Sequence, residues 1–146
     1  MTTRHADAIW EGDLRSGHGN MKAPRGNFET PFSFASRFED DDLTSPEDLV
    51  AAAQAGCFAM ALSHGLTSGG HTPTRVEAKA SVHFGPDPAG GFHISEIALV
   101  VRATVPGIDN EAFQAAAEET KTGCPISKLF TGTTIKLDAQ LVDADQ

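Results

Sequence analysis

The sequence is short of positive charge, and this shortage excludes several classes of partner. Its 146 residues include 11 lysines and arginines against 20 aspartates and glutamates, a formal net charge of −9. A nucleic-acid-binding protein needs a basic stripe to neutralise phosphates, and an anionic lipid surface also attracts basic segments. No such stripe occurs in the sequence, so we expect neither nucleic acid nor a membrane among the partners.

Long apolar runs are also missing. No stretch approaches the roughly 18 consecutive apolar residues of a membrane-spanning helix. The N-terminal segment MTTRHADAIWEGD lacks the apolar run of a secretory signal, which favours a cytoplasmic location. With 40% hydrophobic residues, a chain of this length fits one core, so we expect residues 1–146 to form a single domain.

Motifs for metals and nucleotides are absent too. None of the six histidines stands in an H-x-x-x-H pattern, and the two cysteines do not form C-x-x-C. His64 follows Cys57 by seven residues, about 10 Å along a helix, which is too far for a Cys–His pair. No glycine-rich phosphate loop follows a predicted strand. The sequence therefore predicts no cofactor and no metal.

The periodicity of the apolar residues predicts an α+β fold in the order βββ-α-ββ-α-β. A hairpin is expected within residues 6–23, and the segment FSFASRF (32–38) is expected to be the third strand. In that strand Arg37 lies on the face opposite the phenylalanines. The N-terminal hairpin has no helix of its own to cover it and could pair with a neighbouring copy of the chain, which favours a homodimer.

The segment TSPEDLVAAAQAGCFAMALSHGL (44–66) predicts one long helix. Ser45 is placed to cap it, Pro46 takes the first helical position, and Asp48 completes a capping box. Two strands follow at 74–84 and 91–105. A second helix is expected from Asp109 or Asn110 to Gly123, then a short helical piece and a last strand.

The two cysteines differ in their surroundings. Cys124 stands between a glycine and a proline at the start of a helical turn, near Lys121 and Lys128, a setting that favours a thiolate. Cys57 lies mid-helix among alanines, where burial raises the pKa of a thiol.

A reactive Cys57 would therefore need a cation from another segment. Arg37 is a candidate, and Glu47 could hold that arginine in place. Glu47 and Cys57 are about 15 Å apart along a continuous helix, so they cannot touch each other. From the residues alone, a buried inert Cys57 and a reactive Cys57 both stay open.

The segments around both cysteines resemble the two cysteine motifs of the OsmC/Ohr family, the osmotically inducible and organic-hydroperoxide-resistance proteins. The first motif is TSPEDLVAAAQAGCFAMAL and the second is TGCPISK. Further stretches that resemble the OsmC branch are AIWEGDLRSGHGN, FSFASRFED, TPTRVEAKASV, ISEIALVVRATVPGID and IKLDAQL. The resemblance thus extends over nearly the whole chain.

The resemblance implies a metal-free, cysteine-based peroxidase on an intertwined homodimer with the long helices at its centre. It implies that Cys57 is the peroxidatic cysteine and Cys124 the resolving cysteine, which together form a disulfide during turnover. Glu47 matches the active-site glutamate, and Arg37 matches the arginine of the OsmC branch. The implied substrate is an organic hydroperoxide, with hydrogen peroxide also possible, and the implied reductant is a lipoyl-type dithiol.

Apolar residues are candidates to receive the organic tail of such a substrate, or else belong to the core: Phe32, Phe34, Phe58 and Met60. An alternative function is a non-catalytic redox sensor or binding protein whose disulfide alters a partner contact. A structural dimer with two inert thiols is a third.

Overall fold

A computed structural model describes residues 1–143 and places them in two units, one from Met1 to Leu49 and one from Val50 onward. The predicted α+β class is confirmed, and the order of elements broadly matches the predicted one. The elements are β1 (Asp7–Glu11), β2 (His18–Ala23), β3 (Phe28–Phe32), α1 (Phe34–Phe38), α2 (Pro46–Ser68), β4 (Arg75–Pro86), β5 (Phe92–Thr104), α3 (Asn110–Gly123), α4 (Pro125–Leu129) and β6 (Thr134–Leu141).

The first unit contains an antiparallel sheet in the order β1-β2-β3, which includes the predicted hairpin. Gly19 pairs with Trp10 on one side and with Phe32 on the other. A Cβ at Gly19 would lie 2.5 Å from the Phe32 ring and 2.7 Å from the Trp10 ring. Glycine therefore lets the two rings close over the sheet, with their centroids 5.4 Å apart.

The prediction of a strand at residues 32–38 is wrong, because a short helix, α1, occupies most of this segment. Ser33 caps the helix: its Oγ accepts from the Ser36 N–H at 3.1 Å, and its own N–H donates to the Ser36 Oγ at 2.9 Å. Phe34 and Phe38, four residues apart, stack with their centroids 4.7 Å apart. Arg37 consequently belongs to a helix and not to a strand.

The start of α2 follows the prediction. The Ser45 N–H donates to the Asp48 carboxylate at 2.8 Å, and the Asp48 N–H donates to the Ser45 Oγ at 3.3 Å. This reciprocal pair satisfies two backbone N–H groups at the start of the helix, which would otherwise lack partners. Asp109 caps α3 through a single bond, in which its carboxylate accepts from the Ala112 N–H at 2.7 Å.

The second unit contains a sheet in the order β4-β5-β6, antiparallel between β4 and β5 and parallel between β5 and β6. The parallel pair is joined through α3 and α4, as parallel neighbours require a crossover connection. The core lies where α2 and α3 pack on one face of this sheet, and its buried members are Phe58, Leu62, Leu66, Leu99, Val101, Ala103, Val105, Phe113 and Ala117.

Helix α2 buries one face only. Its buried residues are spaced four apart, and they are Gln54, Phe58, Leu62 and Leu66. By length and composition alone α2 could cross a membrane. Only 22% of its most apolar 18-residue window is buried within the structure. One such helix is weak evidence for a membrane span. The opposite face, which includes the 76% exposed Met60, is apolar and open within the described part of the chain.

The core makes Phe113 a critical position for stability. Its side chain is fully buried, so Phe113→Ala should leave a cavity and lower the free energy of unfolding by about 3–5 kcal/mol. Urea denaturation followed by circular dichroism measures this change. Glu118→Ala is the control on the same helix, and it should change stability by less than about 0.5 kcal/mol because the Glu118 side chain is 60% exposed. Equal losses in both variants would contradict the assigned core.

Candidate active site

The second unit brings the Cys57 and Cys124 side chains together. Cys57 lies in the middle of α2 and is half-buried, whereas Cys124 is the residue that caps α4 and is 1% exposed. Both are free thiols, and they lie close enough for each to shift the pKa of the other. The Ile126 N–H points at the same pair. Two sulfurs in this arrangement are placed to form a disulfide.

Two polar side chains surround the Cys124 sulfur. The Ser127 hydroxyl lies 3.0 Å from Cys124 Sγ, and the Ser127 N–H donates to the same sulfur at 3.4 Å. Gln54 comes from α2, one turn before Cys57, and is fully buried. Its Nε2 donates to the Ser127 Oγ at 2.9 Å and lies 3.8 Å from Cys124 Sγ. Hydrogen-bond donors therefore converge on this sulfur.

The surroundings shift the two thiols in opposite directions. Burial is the main cause that raises the pKa of the Cys57 thiol, and donation to Cys124 raises it further, against a lowering by the Ile126 N–H. Burial acts on Cys124 as well, but the hydrogen bonds from Ser127, Cys57 and Ile126 outweigh it and lower the pKa of the Cys124 thiol. When both cysteines are reduced, the Cys124 thiol therefore ionises more readily than the Cys57 thiol.

Both directions agree with the expectations from the sequence, and so does part of the cause at Cys124. Backbone N–H groups at the start of α4, including that of Ser127, lower the pKa of the Cys124 thiol, as its place at the start of a helical turn predicted. Lysines were expected to add positive charge, but none is among the main causes, and Lys121 pairs with Glu118 at 3.4 Å. The sequence reasoning missed Ser127 and Gln54. A usable signal existed for Gln54, which is the one polar residue in the buried stripe of α2.

Arg37 and Glu47 meet in the first unit. The Arg37 Nε donates to Glu47 Oε1 at 2.9 Å, and the Arg37 Nη2 lies 2.9 Å from the same oxygen. The Glu47 side chain is 11% exposed and that of Arg37 is 40% exposed. The two residues therefore form a half-buried ion pair in which Glu47 restrains the guanidinium. Their roles in catalysis stay a prediction.

An aromatic cavity of about 210 Å³ lies beside Arg37 in the first unit. The Arg15 guanidinium stands 4.8 Å from the centre of the Phe34 ring. The lining combines apolar rings with one guanidinium, and its residues are Trp10, Leu14, Phe32, Ser33, Phe34, Arg37 and Phe38. Phe32 and Phe34 thus line a cavity, whereas Phe58 is fully buried in the core of the second unit.

A second cleft, of about 640 Å³, lies between α2 and the C-terminal end of α3. His64, Glu119 and Cys124 are among its lining residues. Within residues 1–143, no three His, Cys, Asp or Glu side chains are grouped so that they could hold a metal ion.

Comparisons with known proteins find relatives over most of the chain. Residues 39–138 match the family described as OsmC-like protein. The chain is 40% identical over 139 residues to "Peroxiredoxin OsmC" of Escherichia coli K12, covering 94% of this chain and 96% of that protein. The protein of the same name from Shigella flexneri matches equally.

Solved structures show the same fold. The organic hydroperoxide resistance protein OhrB of Bacillus subtilis has a TM-score of 0.72 and 27% identity, covering 93% of this chain and 98% of that one. An organic hydroperoxide resistance protein from Elizabethkingia anophelis has a TM-score of 0.72 and 26% identity, with coverage of 97% and 99%.

The contact between the two thiols predicts that they oxidise to a disulfide within one chain. Diamide treatment of the reduced native protein should remove both free thiols and lower the mass of the chain by two hydrogens, as measured by mass spectrometry. Cys57→Ser and Cys124→Ser are the controls, and neither should show this loss. Disulfide-linked pairs of chains in place of the internal bond would contradict the geometry.

Proposed function

The chain belongs to the OsmC-like protein family, as its cysteine motifs predicted, and we propose that it is a thiol-dependent peroxidase acting on organic hydroperoxides. The observation that carries the proposal is the contact between Cys57 and Cys124 within a chain of this family. In a peroxidase with two working cysteines, one sulfur attacks the peroxide and a second sulfur closes a disulfide with it. The second unit holds two such sulfurs side by side.

Cys57 is the attacking residue in this proposal. It is the more accessible of the two thiols. The Cys57 thiolate attacks the distal peroxide oxygen, the O–O bond breaks, and the departing alkoxide takes up the proton that Cys57 gave up on ionising, so that an alcohol leaves. Cys57 is thereby oxidised to a sulfenic acid.

Cys124 then resolves this intermediate. Its sulfur attacks the sulfur of the Cys57 sulfenic acid, and water leaves as the disulfide forms. The close contact of the two thiols supports this step, because the reacting atoms need little movement to meet. A dithiol of the lipoyl type returns both cysteines to thiols by exchange.

Arg37 supplies positive charge to the Cys57 thiolate in this proposal. Burial and the neighbouring Cys124 raise the pKa of the Cys57 thiol, so the attacking form needs a cation that lowers it. Arg37 is held by Glu47 through two contacts to one carboxylate oxygen, which reduces the motion of the guanidinium. The guanidinium also stabilises the peroxide oxygen that gains charge as the O–O bond breaks.

The aromatic cavity beside Arg37 supports an organic substrate. Its apolar rings would take the hydrocarbon tail, while the guanidinium faces the polar peroxide group. Hydrogen peroxide lacks a tail and would gain nothing from these rings. The cavity therefore favours hydroperoxides that carry an apolar substituent.

We further propose that the working form is a homodimer that contains two such single-domain chains and resides in the cytoplasm. The open apolar face of α2, marked by Met60, would be covered by the second copy. Burial between protein chains also accounts for the apolar composition of α2 without a membrane.

Hydroperoxide reactivity tests the proposed function. Stopped-flow mixing of the reduced protein with cumene hydroperoxide should oxidise Cys57 at least about a hundredfold faster than free cysteine, because the thiolate is preformed and oriented. Cys57→Ser should abolish consumption of the peroxide. Cys124→Ser should instead accumulate sulfenic acid, which dimedone labels. Oxidation no faster than that of free cysteine would contradict a peroxidase, and oxidation without rapid reduction by dihydrolipoamide would favour the redox sensor.

Loss of the Arg37 charge should slow the attack and change its pH dependence. With Arg37→Ala, the rate of Cys57 oxidation at neutral pH should fall at least about tenfold, since the thiol then ionises only at higher pH. The remaining rate should rise as the pH is raised, because a raised pKa means that less thiolate is present at pH 7. Glu47→Gln should give a smaller loss in the same direction.

Arg102→Ala is the matched control for the arginine variant, since Arg102 is exposed on β5 in the second unit. It should leave both the rate and the pH profile unchanged. A pH profile of Arg37→Ala that coincides with that of the unaltered protein would remove Arg37 from the mechanism.

A further inference from the structure

The buried amide of Gln54 is the starting point. Its side chain is fully buried, and its Oε1 has no hydrogen-bond partner within the described residues. A buried polar atom without a hydrogen-bond partner destabilises the folded state. The other three residues of the buried stripe of α2 are apolar, so packing alone does not account for an amide at this position. The hydrogen bonds of the amide are instead made at its other end, by Nε2.

That other end is part of a directed set of hydrogen bonds. Gln54 Nε2 donates to the Ser127 Oγ at 2.9 Å, which leaves the Ser127 hydroxyl hydrogen to donate to Cys124 Sγ at 3.0 Å. The Ser127 N–H donates to the same sulfur at 3.4 Å. Because these groups act as donors, the arrangement suits a sulfur anion better than a neutral thiol.

The two sulfurs of the pair also differ in access. Cys57 is half-buried, whereas Cys124 is 1% exposed. In thiol–disulfide exchange the incoming thiolate attacks the sulfur that it can reach, and the thiol with the lower pKa leaves faster. Both properties therefore favour the same reaction of a Cys57–Cys124 disulfide: the incoming thiolate attacks the Cys57 sulfur, and Cys124 leaves.

We propose that Ser127, with Gln54 as its positioning residue, makes Cys124 the leaving thiolate, so that the reducing dithiol attaches to Cys57. The inference rests on the proposed function, in which this disulfide is the oxidised intermediate. One thiolate of the dithiol attacks the Cys57 sulfur, the S–S bond breaks, and its electron pair goes to Cys124. The second thiol of the reductant then attacks the reductant's own sulfur, which forms a cyclic disulfide and releases Cys57 as a thiolate.

The competing route is attack at Cys124 from the cleft between α2 and α3, since Cys124 is one of the lining residues of that cleft. On this route the reductant would attach to Cys124 and Cys57 would leave. A poorer leaving group and an almost fully buried target both oppose it. The two routes predict mixed disulfides on different cysteines, so they are separable by mass.

The test determines which cysteine carries the mixed disulfide. Diamide forms the internal disulfide without any peroxide, glutathione then opens it, and N-ethylmaleimide in denaturant at mildly acidic pH labels the released thiol while exchange is suppressed. Trypsin places Cys57 in peptide 38–75 and Cys124 in peptide 122–128, so mass spectrometry reads each site separately. Glutathione should be found on Cys57 in at least about tenfold excess over Cys124. Equal amounts, or an excess on Cys124, would overturn the proposal.

Variants then test the named residues. Ser127→Ala should slow opening of the disulfide by dihydrolipoamide by roughly threefold to tenfold, because a hydrogen bond to the developing thiolate is lost. Ser127→Thr retains the hydroxyl and should restore the rate. Gln54→Met keeps the size of the side chain without its donor and should produce a smaller loss. Both damaging variants should also shift the glutathione adduct towards Cys124.

Gln114→Met is the matched control. It removes another amide hydrogen bond of the second unit, from Gln114 Nε2 to the Ala139 carbonyl at 2.7 Å, and it should change neither the rate nor the site of attachment. A merely structural role of Ser127 or Gln54 would leave the ratio of the two adducts unmoved, and that result would overturn the assignment. Since diamide makes the disulfide without peroxide, the site of glutathione attachment can be determined even if the peroxidase test fails. A failure of the glutathione test likewise leaves the result of the peroxidase test unaffected.

Discussion

The contact between the Cys57 and Cys124 sulfurs is the interaction on which the chemistry of the second unit depends. Burial acts on both thiols in the same sense, against ionisation. Hydrogen-bond donors converge on one sulfur only, because Ser127 sits beside Cys124 and is supported by Gln54. The two thiols therefore differ in pKa, and Cys124 ionises more readily than Cys57.

This asymmetry serves one half of the proposed cycle and opposes the other. Peroxide attack requires the charge on Cys57, whereas opening of the disulfide by a dithiol requires that Cys124 leave as an anion. The donors at Cys124 support the second requirement. We propose that the first is met by Arg37, which the ion pair with Glu47 restrains. The proposed peroxidase thus divides the stabilisation of its two thiolates between hydrogen bonds and a cation.

Much of the fold could be predicted from local patterns. The cap of α2 by Ser45 and Asp48 was readable because capping involves residues three apart in sequence. The error at residues 32–38 has an equally local cause. Phe32 and Phe34 are spaced as in a strand, but Phe34 and Phe38 are also spaced as in a helix, and the hydrogen bonds of Ser33 decide for the helix. At the site, the motifs indicated the two cysteines but neither Ser127 nor Gln54.

The sequence by itself determined the family, the α+β class, the starts of the two long helices and the candidate reactive residues, because these follow from motifs and short-range periodicity. Only the tertiary structure decided which donors face Cys124, because Gln54 and Ser127 are 73 positions apart and meet where α2 lies against α4. It likewise decided that hydrogen bonds, and not nearby lysines, stabilise that sulfur. Whether a hydrogen bond forms depends on differences of a few tenths of an ångström in the distance between donor and acceptor. The spacing of residues along the sequence does not specify such differences.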